Sequence, residues 1–571
     1  MTTNDRILLN EILEQQKNLV DPNANASDFF ELFTAGQILK DFDLSYDEIE
    51  SGIIGGGNDG GVDSMYILVN GDLFREESDL SQLKSNITLD VIIIQSKTSD
   101  GFSETPVERF ITISSDIFDL SKDTDDFANL YNQSLIRAIE RYRSVYKQLA
   151  SKFPQLRITY CYASKGSKPS IGVTAKSEKL LTQVNGFFSN AEIAFEFVGA
   201  SELLALARRA PQTTFTLTLA ENPISSEGHV GFVCLIKLVH FYAFLKDSSG
   251  NIHRQIFEAN VRDYQGRTQV NDQIQNTLQG KVSEDFWWLN NGVSIIATKA
   301  SQSGKTITVE DPQIVNGLQT STEIFNYCKN CNTDNENRML LVRIVVPSEP
   351  ESRDQIIKAT NSQTSVVPAS LRATDKIQRD IEEFLKPRGL YYDRRKNYYK
   401  NQGKPRNNII GIPYLAQSVM SIVLGRPDTA RARPSSLLKK DDDYVKIFNE
   451  KFPIELYYVC AESMRLVTEY FKVATPVLTT AERTDLRFYV VMHVVRLLVG
   501  KTNPKPVDFT NIIPSDLTDQ KIQFSLAIVK NLYIDLGATD KVAKGSSLVE
   551  AVKISLGKSL KMIEQSSSKT V

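Results

Sequence analysis

At 571 residues the chain exceeds what one hydrophobic core organises, so about three domains are expected. Its 41% hydrophobic and 24% charged residues exclude a disordered or fibrous chain. A formal net charge of -3 gives the whole chain no attraction to nucleic acid, so any such surface must be a local basic patch.

Residues 1 to about 210 switch between the helical and strand periods. Apolar residues at helical spacing occupy Ile7 to Val20 and Phe29 to Leu39. A glycine-rich turn from Gly55 to Gly61 leads into a strand-like run, Val62 to Val69, and the β-branched run Leu89 to Gln95 reads as a buried strand. A long helix to Leu149 follows, then strand Arg157 to Ala163, helix Ser177 to Phe188, strand Ile193 to Val198 and helix Ser201 to Arg209. This alternation predicts an α/β domain over 1–210, a mixed sheet flanked by helices. From Thr213 strands Thr213 to Ala220, Val230 to Tyr242, Val293 to Ala297, Thr306 to Val309 and Met339 to Val346 mix with helices, so 211–412 reads as an α+β domain. Beyond Pro413 nearly every segment is helical, and 413–571 is expected to be an all-helical region with a frayed tail.

Five cysteines, an odd number, make no disulfide framework. Cys328 and Cys331 form one C-x-x-C pair, but no second pair completes a zinc site, so free thiols are expected. The N-terminal residues lack a signal-peptide pattern. The longest apolar run, Phe488 to Val499, is broken by His493 and Arg496 and is too short for a bilayer. A cytoplasmic protein without a membrane partner is the expectation.

Chemistry concentrates first at Asp63, Gln95 and Lys97. Strand alternation puts Gln95 and Lys97 on one face, and Asp63 meets both if the two strands pair. Oxygen ligands beside an ammonium suit phosphodiester hydrolysis, which needs a hard cation and an activated water. The arrangement resembles the PD-(D/E)xK nuclease superfamily, in its restriction endonuclease-like branch with Q-x-K in place of E-x-K. That resemblance implies Mg2+ (or Mn2+) held by Asp63, Gln95 and a glutamate from a preceding helix, for which Glu31 is the candidate, with Lys97 orienting water. Asp59 and Asp90 are rival ligands. The plain alternative is a turn aspartate and a strand-end lysine. Two other motifs fail: Gly55-x-Gly57-x-x-Gly60 precedes a strand rather than a helix, and Gly304-Lys305-Thr306 lacks the first glycine of a P-loop.

The middle carries five segments in order: 258–264, 286–292 (Phe-Trp-Trp-Leu-Asn-Asn-Gly), 312–320, 359–364 and 392–396. Together they resemble the AIPR (abortive-infection phage-resistance) family over about residues 210 to 450. The resemblance implies defence against phage, often with an N-terminal nuclease. Asn290, Asn291, Gln313, Asn316, Gln319, Asn361 and Gln363 form a possible polar cluster for a base, ribose or phosphate; the alternative, favoured for most, is that these amides tie loops together. Trp287 and Trp288 are expected to pack at the core edge rather than stack on bases.

Residues 386–406 are basic and aromatic. Arg388, Arg394, Arg395, Lys396, Lys400, Lys404 and Arg406 are candidates for nucleic-acid contact, extended by Arg431 and Arg433, against the alternative of a solvated loop. The resulting expectation is a Mg2+-dependent endonuclease acting on nucleic acid, DNA first, as a homodimer with a phage-derived trigger. Its rival is a degenerate nuclease fold that binds without cutting. Nucleotide binding by the AIPR region is a third possibility.

Overall fold

In the computed structural model the described residues are 3–567 apart from 77, 79, 81–82, 84–86, 210–212, 226–229, 248–249, 258–268, 281–283, 331–335, 349–351, 353–354, 358, 360–371, 374, 395 and 434–435. The first unit holds helices α1 (Thr3–Val20), α2 (Ala26–Ile38), α3 (Tyr46–Glu50), α4 (Glu104–Phe118), α5 (Gln133–Leu149), α6 (Ile171–Asn185) and α7 (Ala200–Arg208). Its strands β1 (Ser64–Val69), β2 (Asp72–Leu73), β3 (Thr88–Lys97), β4 (Gln155–Ser164) and β5 (Ala191–Val198) form a mixed sheet of order β2-β1-β3-β4-β5. β1 and β3 pair antiparallel, while β3, β4 and β5 run parallel.

Alternation along the strands sorts two cores. Met65, Ile67, Leu89, Val91 and Ile93 bury against α4, α5 and α6. Tyr66, Leu68, Ile92 and Ile94 bury on the other face with Ala35, Leu39 and Ile49. Because both faces are covered, β3 reads as an unbroken apolar run. Helix α4 falls in 98–126, where no element is expected from the sequence.

The second unit carries β6 (Thr214–Thr218), β7 (Ile224–Ser225), β8 (Gly231–Lys237), β9 (Val293–Ile296), β10 (Lys299–Ser303), β11 (Thr306–Glu310), β12 (Gln313–Asn316) and β13 (Met339–Val345), with helices α8 (Leu238–Leu245), α9 (Gln269–Leu278), α10 (Phe286–Leu289) and α11 (Leu318–Asn330). They form a three-stranded sheet, β10-β11-β6, and a five-stranded sheet, β12-β9-β13-β8-β7. The expected strand Val230 to Tyr242 is therefore half helix: the apolar alternation stops at Lys237, and α8 buries Leu238, Phe241, Phe244 and Leu245 at helical spacing.

The last core spans 377 to 552. Ile377, Ile381 and Leu385, on the helix Lys376–Leu385, pack there with Tyr392 and Ile410 from the parallel pair β14 (Tyr391–Asp393) and β15 (Ile409–Gly411). The helical body thus recruits residues from before the boundary expected at 412. Its centre is the helix Thr480–Val499, whose residues Phe488 to Val495 are all buried. Among the described residues no helix is long and apolar enough to cross a membrane.

Candidate functional site

The glycine turn closes on itself and on α4. Asp59 Oδ1 accepts from the Gly61 N–H at 2.7 Å, and the carbonyl of Asn58 accepts from Asn132 at 2.8 Å. Gly61 has φ +84°, and a Cβ there would lie 2.6 Å from Arg109 Cβ, so a side chain would clash as well as strain the backbone. The turn delivers Asp63 to the sheet, where its N–H donates to Ile94 O at 3.0 Å, one residue beyond the Ser64–Ile94 pair. The Asp63 carboxylate then continues the ladder, accepting from the Ser96 N–H at 2.6 Å.

Glu31 approaches from α2. That helix is docked by Thr34, whose hydroxyl lies 2.6 Å from that of Ser96. Burial pushes the Glu31 carboxyl up to about 8, and the neighbouring Asp63 charge pushes the same way. Burial likewise lifts Asp63 to about 6, against the pull of the Lys97 ammonium, the Ser96 N–H and the Gln95 amide. Gln95 is fully buried; its amide N–H lies near enough to Asp63 to favour the ionised carboxylate, whereas its oxygen has no hydrogen-bond partner among the described residues. The Lys97 side chain is half-buried, and its ammonium makes no hydrogen bond or ion pair among the described residues. Its charge nevertheless lowers both carboxyl groups.

The four residues singled out in the sequence are thus brought to one end of the sheet. Among the described residues no group of three or more His, Cys, Asp or Glu side chains is arranged to hold a metal. What is present is two carboxyl groups and an amide. Their chemistry fits a hard divalent cation: it would neutralise two acids that burial keeps from ionising and would give the orphaned Gln95 oxygen a partner. The rivals have other duties. Asp59 closes the turn, and Asp90 pairs with Arg157 at 2.6 Å. Sequence reasoning missed the Ser96–Thr34 bridge, though alternation aims Ser96 away from Gln95, and missed Arg109, whose exposed side chain lies against the glycine turn.

The basic segment is not an open surface. Lys396 pairs with Glu48 at 2.9 Å, Lys400 donates to Leu44 O at 2.5 Å, and Arg406 pairs with Glu50. Asn397 between them donates to Asp43 at 2.8 Å. These contacts join the helical body to α3 and the loop before it. Arg394 turns inward to Glu382 at 2.5 Å, Arg388 lies over the Phe384 ring at 3.6 Å, and Lys404 over the Tyr391 ring at 5.0 Å. Arg395 lies outside the described residues. Arg431 is likewise engaged, by Asp485 and Asp540. The charge run is spent largely on a seam between units, because carboxylates from α3 face it; of its described residues Arg388 and Lys396 are exposed, and Lys396 is paired with Glu48.

The amides of the second unit mostly tie loops. Asn290 Oδ1 accepts from the Gly292 N–H at 2.9 Å and Gln319 Oε1 accepts from Asn271 at 2.8 Å. Gln313 donates to Gln255 O at 2.8 Å. The two Asn-Gly turns touch, since a Cβ on Gly317 (φ +100°) would lie 3.1 Å from Gly292 O. Asn316 is half-buried, and Asn291 is exposed. Asn361 and Gln363 lie outside the described residues, as does Cys331, while Cys328 is buried. Trp288 is 66% exposed rather than packed at the core edge.

Residues 257–536 match the family model for AIPR protein. This region is therefore similar to that family. The matched region begins after β6, β7, β8 and α8, covers the rest of the second unit and most of the helical body, and leaves the Asp63 site outside it. No curated protein and no solved structure matches the chain.

Proposed function

We propose that the first unit is a Mg2+- or Mn2+-dependent endonuclease in a phage-defence protein, acting on nucleic acid and on DNA in the first instance. The observation that carries this reading is the meeting of the buried Asp63 carboxyl, the half-buried Glu31 carboxyl, a buried amide whose oxygen has no partner among the described residues, and a lysine at one end of the sheet. Asp63, Glu31 and the Gln95 oxygen would hold the cation. A divalent ion so bound withdraws charge from the phosphate and lowers the pKa of a water. The Ser96 N–H fixes the Asp63 carboxylate, and the Lys97 Nζ donates to the attacking water or a phosphate oxygen and orients it. The AIPR region senses or gates, answering a phage-derived trigger. Cutting both strands of a duplex takes two such sites, so the working assembly is a homodimer.

A second reading, a nuclease fold that grips nucleic acid without cutting, is favoured by one feature: Gln95 brings no charge where an acid would strengthen metal binding. Incubating the protein with Mg2+ or Mn2+ and plasmid, linear duplex, single-stranded DNA or RNA separates the two. The first reading predicts metal-dependent cleavage of at least one substrate that EDTA abolishes. Retention of nucleic acid with no cleavage under any of these conditions selects the second.

A further inference from the structure

A cavity lies on the far side of α2 from the Asp63 site, where the first unit, Asp247, Ile252 to Gln255 and the helical body meet. Its volume is about 330 Å3, within the range that holds a small organic ligand. Phe29, Phe33 and Tyr46 supply aromatic walls.

Three cations stand on its rim: Lys40, Arg209 and Lys400. Arg209 is paired with Asp41 at 2.5 Å, and Asp43 accepts from Asn397. Asp247, the third acid, accepts from the Asn251 N–H at 2.8 Å. Lys40 and Lys400 donate to backbone carbonyls, Leu206 O at 2.7 Å and Leu44 O at 2.5 Å, rather than to a carboxylate. Burial lowers Lys40 to about 8, and the charges of Arg209 and Lys400 lower it further while Asp41 opposes them. An anion would relieve that crowding.

Two further observations point to an occupant. Gln37 lines the cavity, and its side-chain Oε1 is buried with no hydrogen-bond partner among the described residues. Gly36 sits inside α2, where alanine would favour the helix, and a Cβ there would meet only Ile49 Cδ1 at an ordinary 3.7 Å. Nothing in the backbone requires glycine at this position; what its missing side chain provides is room.

We propose that this cavity binds a small molecule with a planar apolar group and one anionic group, of the size and chemistry of a nucleoside monophosphate. The ring packs on Phe29, Phe33 and Tyr46, the anion is met by Lys40 and Lys400, and a donor on the ligand satisfies Gln37. The site is independent of catalysis at Asp63, although α2 carries Glu31 on one side and the cavity on the other.

Thermal shift and calorimetric titration of the full chain with AMP, GMP, adenosine, benzoate and inorganic phosphate test this. Expected is saturable binding of an aromatic anion, tighter than adenosine or phosphate alone by tenfold or more. AMP and GMP binding with benzoate inert identifies a nucleotide; benzoate binding equally identifies an aromatic carboxylate. Lys40→Gln and Gly36→Leu, each checked for folding by circular dichroism, should weaken binding at least tenfold, whereas Asp63→Asn should leave it unchanged. Absence of binding by every aromatic anion, or binding untouched by both variants, overturns the proposal. Either result leaves the nuclease reading standing, since that is read by cleavage.

Discussion

Glu31 and Asp63 give the first unit a built-in cost that a cation would remove. With the Glu31 carboxyl held at about 8 and an ordinary value of 4.5 when unfolded, its contribution to stability is full below pH 4.5. That contribution is lost as pH rises through 8, because the folded state then has to ionise a buried acid. Asp63 follows the same course between 3.8 and about 6. Glu31→Gln should therefore stabilise the metal-free protein at neutral pH by about 2 kcal/mol, the roughly 3 kcal/mol of the full shift being reduced by solvent screening of a half-buried group, and by nothing at pH 4, as read by denaturant melts. The same variant should weaken Mn2+ binding. In the parent, binding should release protons and strengthen from pH 6 to 8, since the cation binds the ionised acids. Gln95 adds no pH dependence of its own, but its unpartnered oxygen gives the site something to gain from a ligand.

Helix α2 serves two faces at once. Thr34 and Glu31 address β3 and the site, whereas Phe29, Phe33 and Gly36 line the cavity. Gly36→Ala should stabilise the protein by about 0.5–1 kcal/mol in thermal melts, because only helix propensity and unfolded-state entropy change. A destabilisation would mean that the added methyl meets something other than Ile49. At this scale the sequence was legible where the periodicity was clean. β3 emerges from its β-branched run, whereas its antiparallel pairing with β1 across residues 70–87 is only a condition at the level of sequence and is supplied by the structure. Helix α4 was not legible: Ile111-Thr112-Ile113-Ser114 reads like a strand, and only the spacing of Val107, Phe110, Ser114 and Ile117 betrays the buried face. α8 was missed for a related reason, since its apolar residues continue those of β8 without a break. The basic run misled because a sequence displays charges but not the carboxylates of α3 that fold back to meet them.

Across the molecule, the units are locked by ionic seams. Asp485, fully buried on the helix Thr480–Val499, takes a two-pronged contact from Arg137 of α5 at 3.2 and 2.7 Å. It also accepts from Arg431 at 3.1 Å and from the Tyr533 hydroxyl at 2.8 Å. Removing it leaves two half-buried arginines, Arg137 and Arg431, to share Asp540 as their one remaining anion, which costs at most about 3–5 kcal/mol. Asp485→Ala should thus lower the melting temperature and split unfolding into two transitions, seen by calorimetry, as the first unit parts from the helical body. A single unshifted transition would show that the seam contributes nothing.

The central claim is that one end of the first sheet cleaves phosphodiester bonds with Lys97 as the orienting amine. Comparing the parent with Lys97→Ala in a Mn2+-dependent cleavage assay, with Mn2+ affinity measured on the same samples, tests it most directly. The account predicts that the variant keeps its fold and its Mn2+ affinity within a few-fold while cutting at least about 100-fold more slowly. Cleavage by Lys97→Ala at the parent rate would contradict it.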